Sequence, residues 1–210
     1  MASVYDSQGE PLSKELSCAK DGRKCWKLSF KSVDDNVCCQ KVCAALPELD
    51  CEILDLSCNA IGPAGTKALC DILQTHETVQ DIDLSANSVN DGGALALAQL
   101  LECNSKIIRL DVHASQIHDE GALALAEALK SNTSLREIDL SANYITDKGA
   151  LAIAKMLEAN TGLVSISMRS NDFEDEGKTA LIKALQQNPR IESLEGTDRM
   201  RAFESICVCM

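Results

Sequence analysis

Apolar and polar positions alternate in short runs along this chain, and the runs return at a fixed step. Leu54-Asp55-Leu56, Ile82-Asp83-Leu84, Leu110-Asp111-Val112, Ile138-Asp139-Leu140 and Ile166-Ser167-Met168 carry the period of two that predicts a strand. Behind each run lies a segment of helical spacing. In Gly121-Ala122-Leu123-Ala124-Leu125-Ala126-Glu127-Ala128-Leu129, Leu125 and Leu129 stand four apart, and Ala124 and Ala128 line the adjoining face. Gly65, Gly93, Gly121, Gly149 and Gly177 recur every 28 residues, as do Leu73, Leu101, Leu129, Leu157 and Leu185. Asn59, Asn87, Asn143 and Asn171 share the step, and Ser115 is the exception. One strand and one helix per unit, repeated at this period, predict a stacked solenoid.

The Asn column follows each strand where the chain must turn. A side-chain amide there can satisfy backbone groups that the strand no longer pairs, and stacking turns the device into a ladder. Ser115 can do only part of this, so the third unit is expected to be looser. Asp91, Asp119, Asp147 and Asp175 precede helices, where a carboxylate caps or complements the N-terminus. Asn104-Ser105, Ser131-Asn132-Thr133 and Asn160-Thr161-Gly162 read as polar stops after the helices.

The pattern Leu135-x-x-Ile138-x-Leu140-x-x-Asn143-x-Ile145, followed by Gly149-Ala150-x-Ala152-x-Ala154-x-x-Leu157, resembles a leucine-rich repeat. The 28-residue period resembles the ribonuclease-inhibitor-like class, which includes the Ran GTPase-activating protein, tropomodulin and the sensor arms of NOD-like receptors. The resemblance covers about residues 46–194. It implies an α/β fold: a right-handed solenoid with parallel strands on the concave face and helices on the convex face. Residues 1–22 then form a flexible N-terminal segment, and the solenoid occupies 23–198. Within it, about 25–46 make a degenerate N-terminal cap in which Trp26 covers the exposed edge. Five full repeats fill about 47–187, and Ile191 and Leu194 begin a partial last strand. Residues 199–210 are a tail.

Composition fits this layout. Aromatic residues make up only 3% of the chain, as expected for thin layers of Leu, Ala and Asn. The first ten residues hold neither a basic nor an apolar stretch, so no secretory leader is expected. The eleven Cys are then expected to be reduced thiols in the cytoplasm, packed as small hydrophobes. Cys18, Cys25, Cys38, Cys39, Cys43 and Cys51 crowd the first quarter without paired C-x2-C spacing or a His, so no metal is expected. The formal charge is −12, and residues 51–187 hold 10 Lys and Arg against 20 Asp and Glu. That balance argues against a nucleic-acid partner.

Asp55, Asp83, Asp111 and Asp139 share the outward strand position and form one row on the concave face. Neighbouring strands lie about 4.8 Å apart, so the four carboxylates repel one another and favour a basic protein partner. Arg109, His113 and Arg169 interrupt the flanking rows, and a bidentate Arg could anchor a partner carboxylate. Two readings of the Asp row stand: solvated scaffold common to the resembled class, or a binding surface. No catalytic triad, phosphate loop or cofactor motif is present in the sequence, and no cofactor is expected. Cys207-Val208-Cys209-Met210 fits a prenylation box, so membrane contact is expected only if Cys207 is lipidated. The alternative is an unmodified tail whose Phe203, Ile206 and Val208 pack on the last repeat or on a partner. The expected function is a non-enzymatic interaction module, a scaffold or adaptor subunit of a larger assembly, with the cytoskeleton or cilium as settings. A small-GTPase regulator and an actin-binding cap of the tropomodulin type are the alternatives the resemblance implies.

Overall fold

Three-residue strands cannot stand alone; each needs a neighbour on both sides to pair its backbone. In the computed structural model, which describes residues 16–191, they find those neighbours in strict chain order. Strands β2 (Lys24–Lys27), β3 (Ile53–Asp55), β4 (Asp81–Asp83), β5 (Arg109–Asp111), β6 (Glu137–Asp139) and β7 (Ser165–Ser167) form one parallel sheet. The register advances by the repeat: Trp26 pairs with Leu54, Leu54 with Ile82, Ile82 with Leu110, and Leu110 with Ile138. This buried column is the strand side of the core. The helix side comes from α3 (Pro63–Leu73), α4 (Asn90–Cys103), α5 (Asp119–Leu129), α6 (Asp147–Ala159) and α7 (Asp175–Gln187), each packed on the next. The result is a right-handed α/β leucine-rich-repeat solenoid.

The N-terminal end departs from expectation. Trp26 is fully buried in the core column and does not cover the edge. The edge is covered by β1 (Leu16–Cys18), which pairs antiparallel with β2 inside the stretch expected to be flexible. A parallel edge strand leaves backbone groups unpaired, and a returning hairpin strand supplies them. The helical part of the first coil is broken into α1 (Asp35–Val37), a π turn (Cys38–Val42), α2 (Cys43–Ala45) and a 3-10 turn (Leu46–Glu48). Cys25, Cys38, Cys43, Cys51 and Cys70 are buried here as free thiols. Burial pushes the Cys51 thiol up to about 11 and the Cys70 thiol up to about 12, which keeps them neutral. Residues 1–15, Leu194, the tail and Cys207 lie outside the described residues.

Each turn after a strand of the parallel sheet places a residue in the left-handed region at the same repeat position. Phe30, Cys58, Ala86, Ala114, Ala142 and Ser170 have φ between 51° and 58° and recur every 28 residues. A non-glycine residue there costs about 1 kcal/mol. The bend swings the following Asn inward, and its bonds offset the cost. Asn87 Nδ2 donates to the carbonyls of Leu56, Leu84 and Ser85, and its Oδ1 accepts from Ile61 N at 2.9 Å. Asn143 repeats this, accepting from both Ser115 N and Ile117 N. Ser115 is fully buried, and its hydroxyl lies within bonding reach of the Leu84 and His113 carbonyls. With one proton it cannot donate to both at once, and it lacks the second arm of an amide. The local departures are Gln116, beside it, with a φ of 61°, and Asn90, whose φ is 47° and whose N–H donates to the Ser115 carbonyl.

The helix N-termini are capped differently from expectation. None of the N-cap residues of α3 to α7 forms a side-chain cap bond with its own helix. The aspartate of the preceding coil does it instead. Asp91 Oδ1 accepts from His118 N and Gly121 N, Asp119 Oδ1 from Thr146 N and Gly149 N, and Asp147 Oδ1 from Glu174 N and Gly177 N. Asp35 does the same for Gly62 and Gly65. The glycine column exists for this approach: a Cβ on Gly149 would lie 2.7 Å from Asp119 Oδ1 and 2.6 Å from Ile145 Cγ2. Burial raises the Asp119 carboxyl, but hydrogen bonds from Thr146 and Gly149 outweigh it and hold the group below its ordinary value. Pro63 occupies the corresponding position before α4, so that helix alone among these five has no such cap.

The polar stops form a second ladder. Asn132, Asn160 and Asn188 donate to Leu101, Leu129 and Leu157, in the last turn of the helix of the coil before, and each also reaches the previous Asn carbonyl. Asn104 begins the amide series by donating to Leu73. One repeat earlier the position is His76. Its Nε2 sits 3.1 Å from the Leu46 carbonyl, and its Nδ1 accepts from Thr78 N and Val79 N. The ring therefore bonds as the neutral Nε2–H tautomer and stands in for an amide. His76→Asn should keep stability within about 0.5 kcal/mol, whereas His76→Ala should lose about 1 kcal/mol. Urea denaturation checks this, and equal losses would refute the ladder role. Gly149→Ala should lose 2 kcal/mol or more in the same assay, roughly the cost of overpacking; a loss under about 0.5 kcal/mol would contradict the staple.

Candidate protein-binding face

The strand register sets three rows on the concave face. Asp55, Asp83, Asp111 and Asp139 are directly in register, with Lys27 at one end and Ser167 at the other. Ile53, Asp81, Arg109, Glu137 and Ser165 form the row before them. Ser57, Ser85, His113, Ser141 and the exposed Arg169 follow two residues beyond.

Each aspartate of the central row has a structural duty as well. Asp55 Oδ1 accepts from Ser57 N and Ser57 Oγ, Asp83 Oδ1 from Ser85 N and Oγ, and Asp139 Oδ1 from Ser141 N and Oγ. Asp111 Oδ1 accepts from His113 N and lies 2.9 Å from His113 Nδ1. These are side-chain turns that hold the chain as it leaves the strand. They use one carboxylate oxygen. Among the described residues, the Oδ2 atoms of Asp83, Asp111 and Asp139 have no donor. The row is therefore half scaffold and half available surface.

The centre of the row carries the electrostatic cost. Burial pushes the Asp83 carboxyl above its ordinary value; bonds from Ser85 oppose this, and the charges of Asp111 and Asp55 add to it. Arg109 Nε lies 3.7 Å from Glu137 Oε2 across the strands, and both side chains are half exposed. A pair so exposed adds little stability and can exchange partners. Ser85 and Ser141 both commit their hydroxyls to their own aspartates, so neither neighbouring row position offers His113 a free nucleophile. No group of three or more His, Cys, Asp or Glu among the described residues is placed to hold a metal.

Sequence reasoning missed Arg23. It lies in the connection between β1 and β2 and reaches over the sheet. Its Nη2 sits 2.8 Å from Asp81 Oδ2, and its Nε sits 2.7 Å from Asp21 Oδ2. These bonds, Asp81 first and Asp21 second, hold the guanidinium above its ordinary value. Arg23 has no counterpart in the other coils, so no periodic signal marks it. Beside it the hairpin and strands β3 to β5 enclose a hollow of about 480 Å³, lined by Lys20, Lys27, Asp55, Asp83, Arg109 and Asp111 among others.

A carboxyl raised in the folded state binds its proton more tightly than in the unfolded chain. Stability is then lost as pH rises through that range, and the loss is complete at neutral pH. Asp83→Asn keeps an Oδ1 for Ser85 and removes the charge. It should raise stability at pH 7 by about 0.5 kcal/mol, and the gain should fade below about pH 4. Thermal melts across that range decide it; a destabilised variant at pH 7 would refute the assignment.

Comparison with known proteins places this geometry. The Leucine Rich repeat family model matches residues 52–70, 75–98, 103–126 and 131–154. Among curated proteins no sequence match is found. Solved structures share the fold. Leiomodin-1 actin-binding site 2 is 23% identical with a TM-score of 0.54, covering 72% of this chain and 87% of that one. The C-terminal domain of Caenorhabditis elegans tropomodulin is 14% identical with a TM-score of 0.53, covering 68% of this chain and 93% of that one. Repeats of matching sequence, one parallel strand and one helix per coil, and Asn-laced turns lead to one conclusion: the matched segments are leucine-rich repeats and the chain has the leucine-rich-repeat solenoid fold.

Proposed function

We propose that the chain is a non-enzymatic protein-interaction module that holds a partner with a basic surface on its concave face. Leucine-rich repeats serve protein–protein interaction, and the finer reading rests on one observation: the chain's own Arg23 docks on Asp81 of that face. The guanidinium, about one third exposed, pairs with a largely buried concave carboxylate, which is the chemistry a partner Arg or Lys would use. The Oδ2 atoms of Asp83, Asp111 and Asp139 offer further places at strand spacing, about 4.8 Å apart. A partner presenting cations at that step meets several at once. Arg109 and Arg169 set the register by repelling a misplaced cation. The module acts as a scaffold or adaptor subunit in the cytoplasm, at the cytoskeleton or a cilium. Its free cysteines suit a reducing compartment.

An actin-binding cap is the second reading. The likeness to leiomodin-1 actin-binding site 2 and to tropomodulin favours it, although at 23% and 14% identity that likeness carries the fold and not the contact residues. Pyrene-actin elongation in the presence of the chain tests it, and unchanged kinetics would remove it.

For the leading reading, neutralisation is a cleaner probe than charge reversal, since Lys would also strip the turns of their Oδ1 acceptors. Asp83→Asn with Asp111→Asn should weaken the partner about tenfold and flatten the salt dependence. Affinity capture from native cells with quantitative mass spectrometry, run on the unaltered chain and the double variant, reads this directly. Identical recovery by both would overturn the concave-face assignment.

A further inference from the structure

The convex face carries a column that the fold does not explain. At the position two residues after each recurring glycine, the repeats read Lys67, Leu95, Leu123, Leu151 and Thr179. Lys67 and Thr179 at the two ends show that the packing accepts polar residues there. The three central helices nevertheless place leucine in it. Leu95 is 50% exposed and Leu123 is 37% exposed, and Leu151 is half-buried. Single exposed leucines are ordinary. Three on adjacent packed helices, about 10 Å apart, make a continuous apolar stripe.

The groove beside the stripe escapes the molecule's acidity: it holds three lysines, Lys130, Lys148 and Lys155, against three acids, Glu127, Asp147 and Glu176. Between α5 and α6 lies a groove of about 580 Å³, lined by Leu123, Leu151, Ala152, Lys130, Lys148 and Lys155 among others. Two of its three acids are engaged. Glu127 pairs with Lys130, and Asp147 Oδ1 accepts from Glu174 N and Gly177 N; only Glu176 is uncommitted. Lys148 and Lys155 have no carboxylate within ion-pair distance among the described residues. In a chain of net charge −12, these two lysines beside the apolar stripe are where a partner's carboxylate can pair.

We infer that this groove is a second docking site, for an amphipathic helix with acidic flanks from a protein partner. The apolar side chains of such a helix seat between Leu123 and Leu151, and its carboxylates meet Lys148 and Lys155. A helix suits the place because a groove between two parallel helices accepts the ridge of a third, and no sheet edge is on offer there. A second copy of this chain fits poorly. It would bring the same lysines to the contact, and three leucines fall far short of the roughly 800 Å² per partner of a stable interface. An anionic membrane fits poorly as well, because the net charge repels it. The site lies on the face opposite the Asp row and does not depend on that reading.

The test uses the full chain and two labelled 18-residue helical peptides with the same leucine face, one flanked by Glu and one by Lys, read by fluorescence anisotropy. The Glu-flanked peptide should bind saturably. Leu123→Ser with Leu151→Ser should weaken it about tenfold or more. Lys148→Glu with Lys155→Glu, both at exposed positions that tolerate the change, should weaken it similarly and reverse the preference between peptides. Asp83→Asn on the concave face should leave it within about twofold. Failure of the Glu-flanked peptide to saturate, or binding by either convex double variant as tight as that of the unaltered chain, overturns the proposal. So does leucine-dependent self-association in sedimentation velocity, or leucine-dependent flotation with phosphatidylserine vesicles, since either assigns the stripe to another occupant.

Discussion

The carboxylate of Asp119 sits at the start of one helix and accepts the N-terminal amides of the next, and much of this molecule follows from that reach. A helix leaves four backbone N–H groups without internal partners. Here the answer to that deficit comes from the neighbouring coil. The carboxylate needs room, so the amide it meets at the third helical position belongs to glycine. It needs a helix close at hand, so Ala94, Ala122 and Ala150 line the seam where larger side chains would hold the coils apart. The two Asn ladders apply the same rule to the remaining turns. No coil satisfies its own backbone, and stability passes between neighbours in sequence. Where Pro63 removes the aspartate, the Ser115 coil beyond also lacks its amide, and Asn90 and Gln116 at these two gaps have positive φ.

Function on the concave face grows out of the same economy of side chains. An aspartate that must hold the turn after its strand has one oxygen in the scaffold and one outside it. The row is therefore ordered by the fold, with its charge placed at the strand step and kept from relaxing. Burial and like charges make Asp83 the least comfortable member. A cation from elsewhere relieves that strain, as Arg23 does at the neighbouring Asp81. The convex face differs because its helices need only one stripe for the core. The opposite stripe is free to vary, and its leucines and lysines record a demand that packing does not make.

Much of the architecture was legible before any coordinates. The period of two in Leu54-Asp55-Leu56 and its copies, and the columns of Gly, Ala, Leu and Asn, specify strand, turn and helix in order. The in-register Asp row follows from them, because a fixed repeat length leaves the strands only one pairing. The first coil was less legible. Trp26 looks like a lid by size alone, yet it takes the core position of its strand, and the hairpin strand Leu16–Cys18 covers the edge. The second ladder was present in the spacing of Asn104, Asn132, Asn160 and Asn188, but its first member is a histidine, which hides the column from a search for identical residues.

By itself the sequence determined the repeat, the register and the residues that share a face, since all of these follow from periodicity and local backbone preference. Only the tertiary structure decided which turn each aspartate caps, which carbonyls each Asn holds, and that Arg23 reaches Asp81. Those bonds join groups 26 to 58 residues apart. Their partners come within reach only when one coil lies on another. A local reading assigns Asp119 to its own helix because that helix is next in the chain. In space the nearer unpaired amides belong to the following coil, and the hydrogen bond forms there.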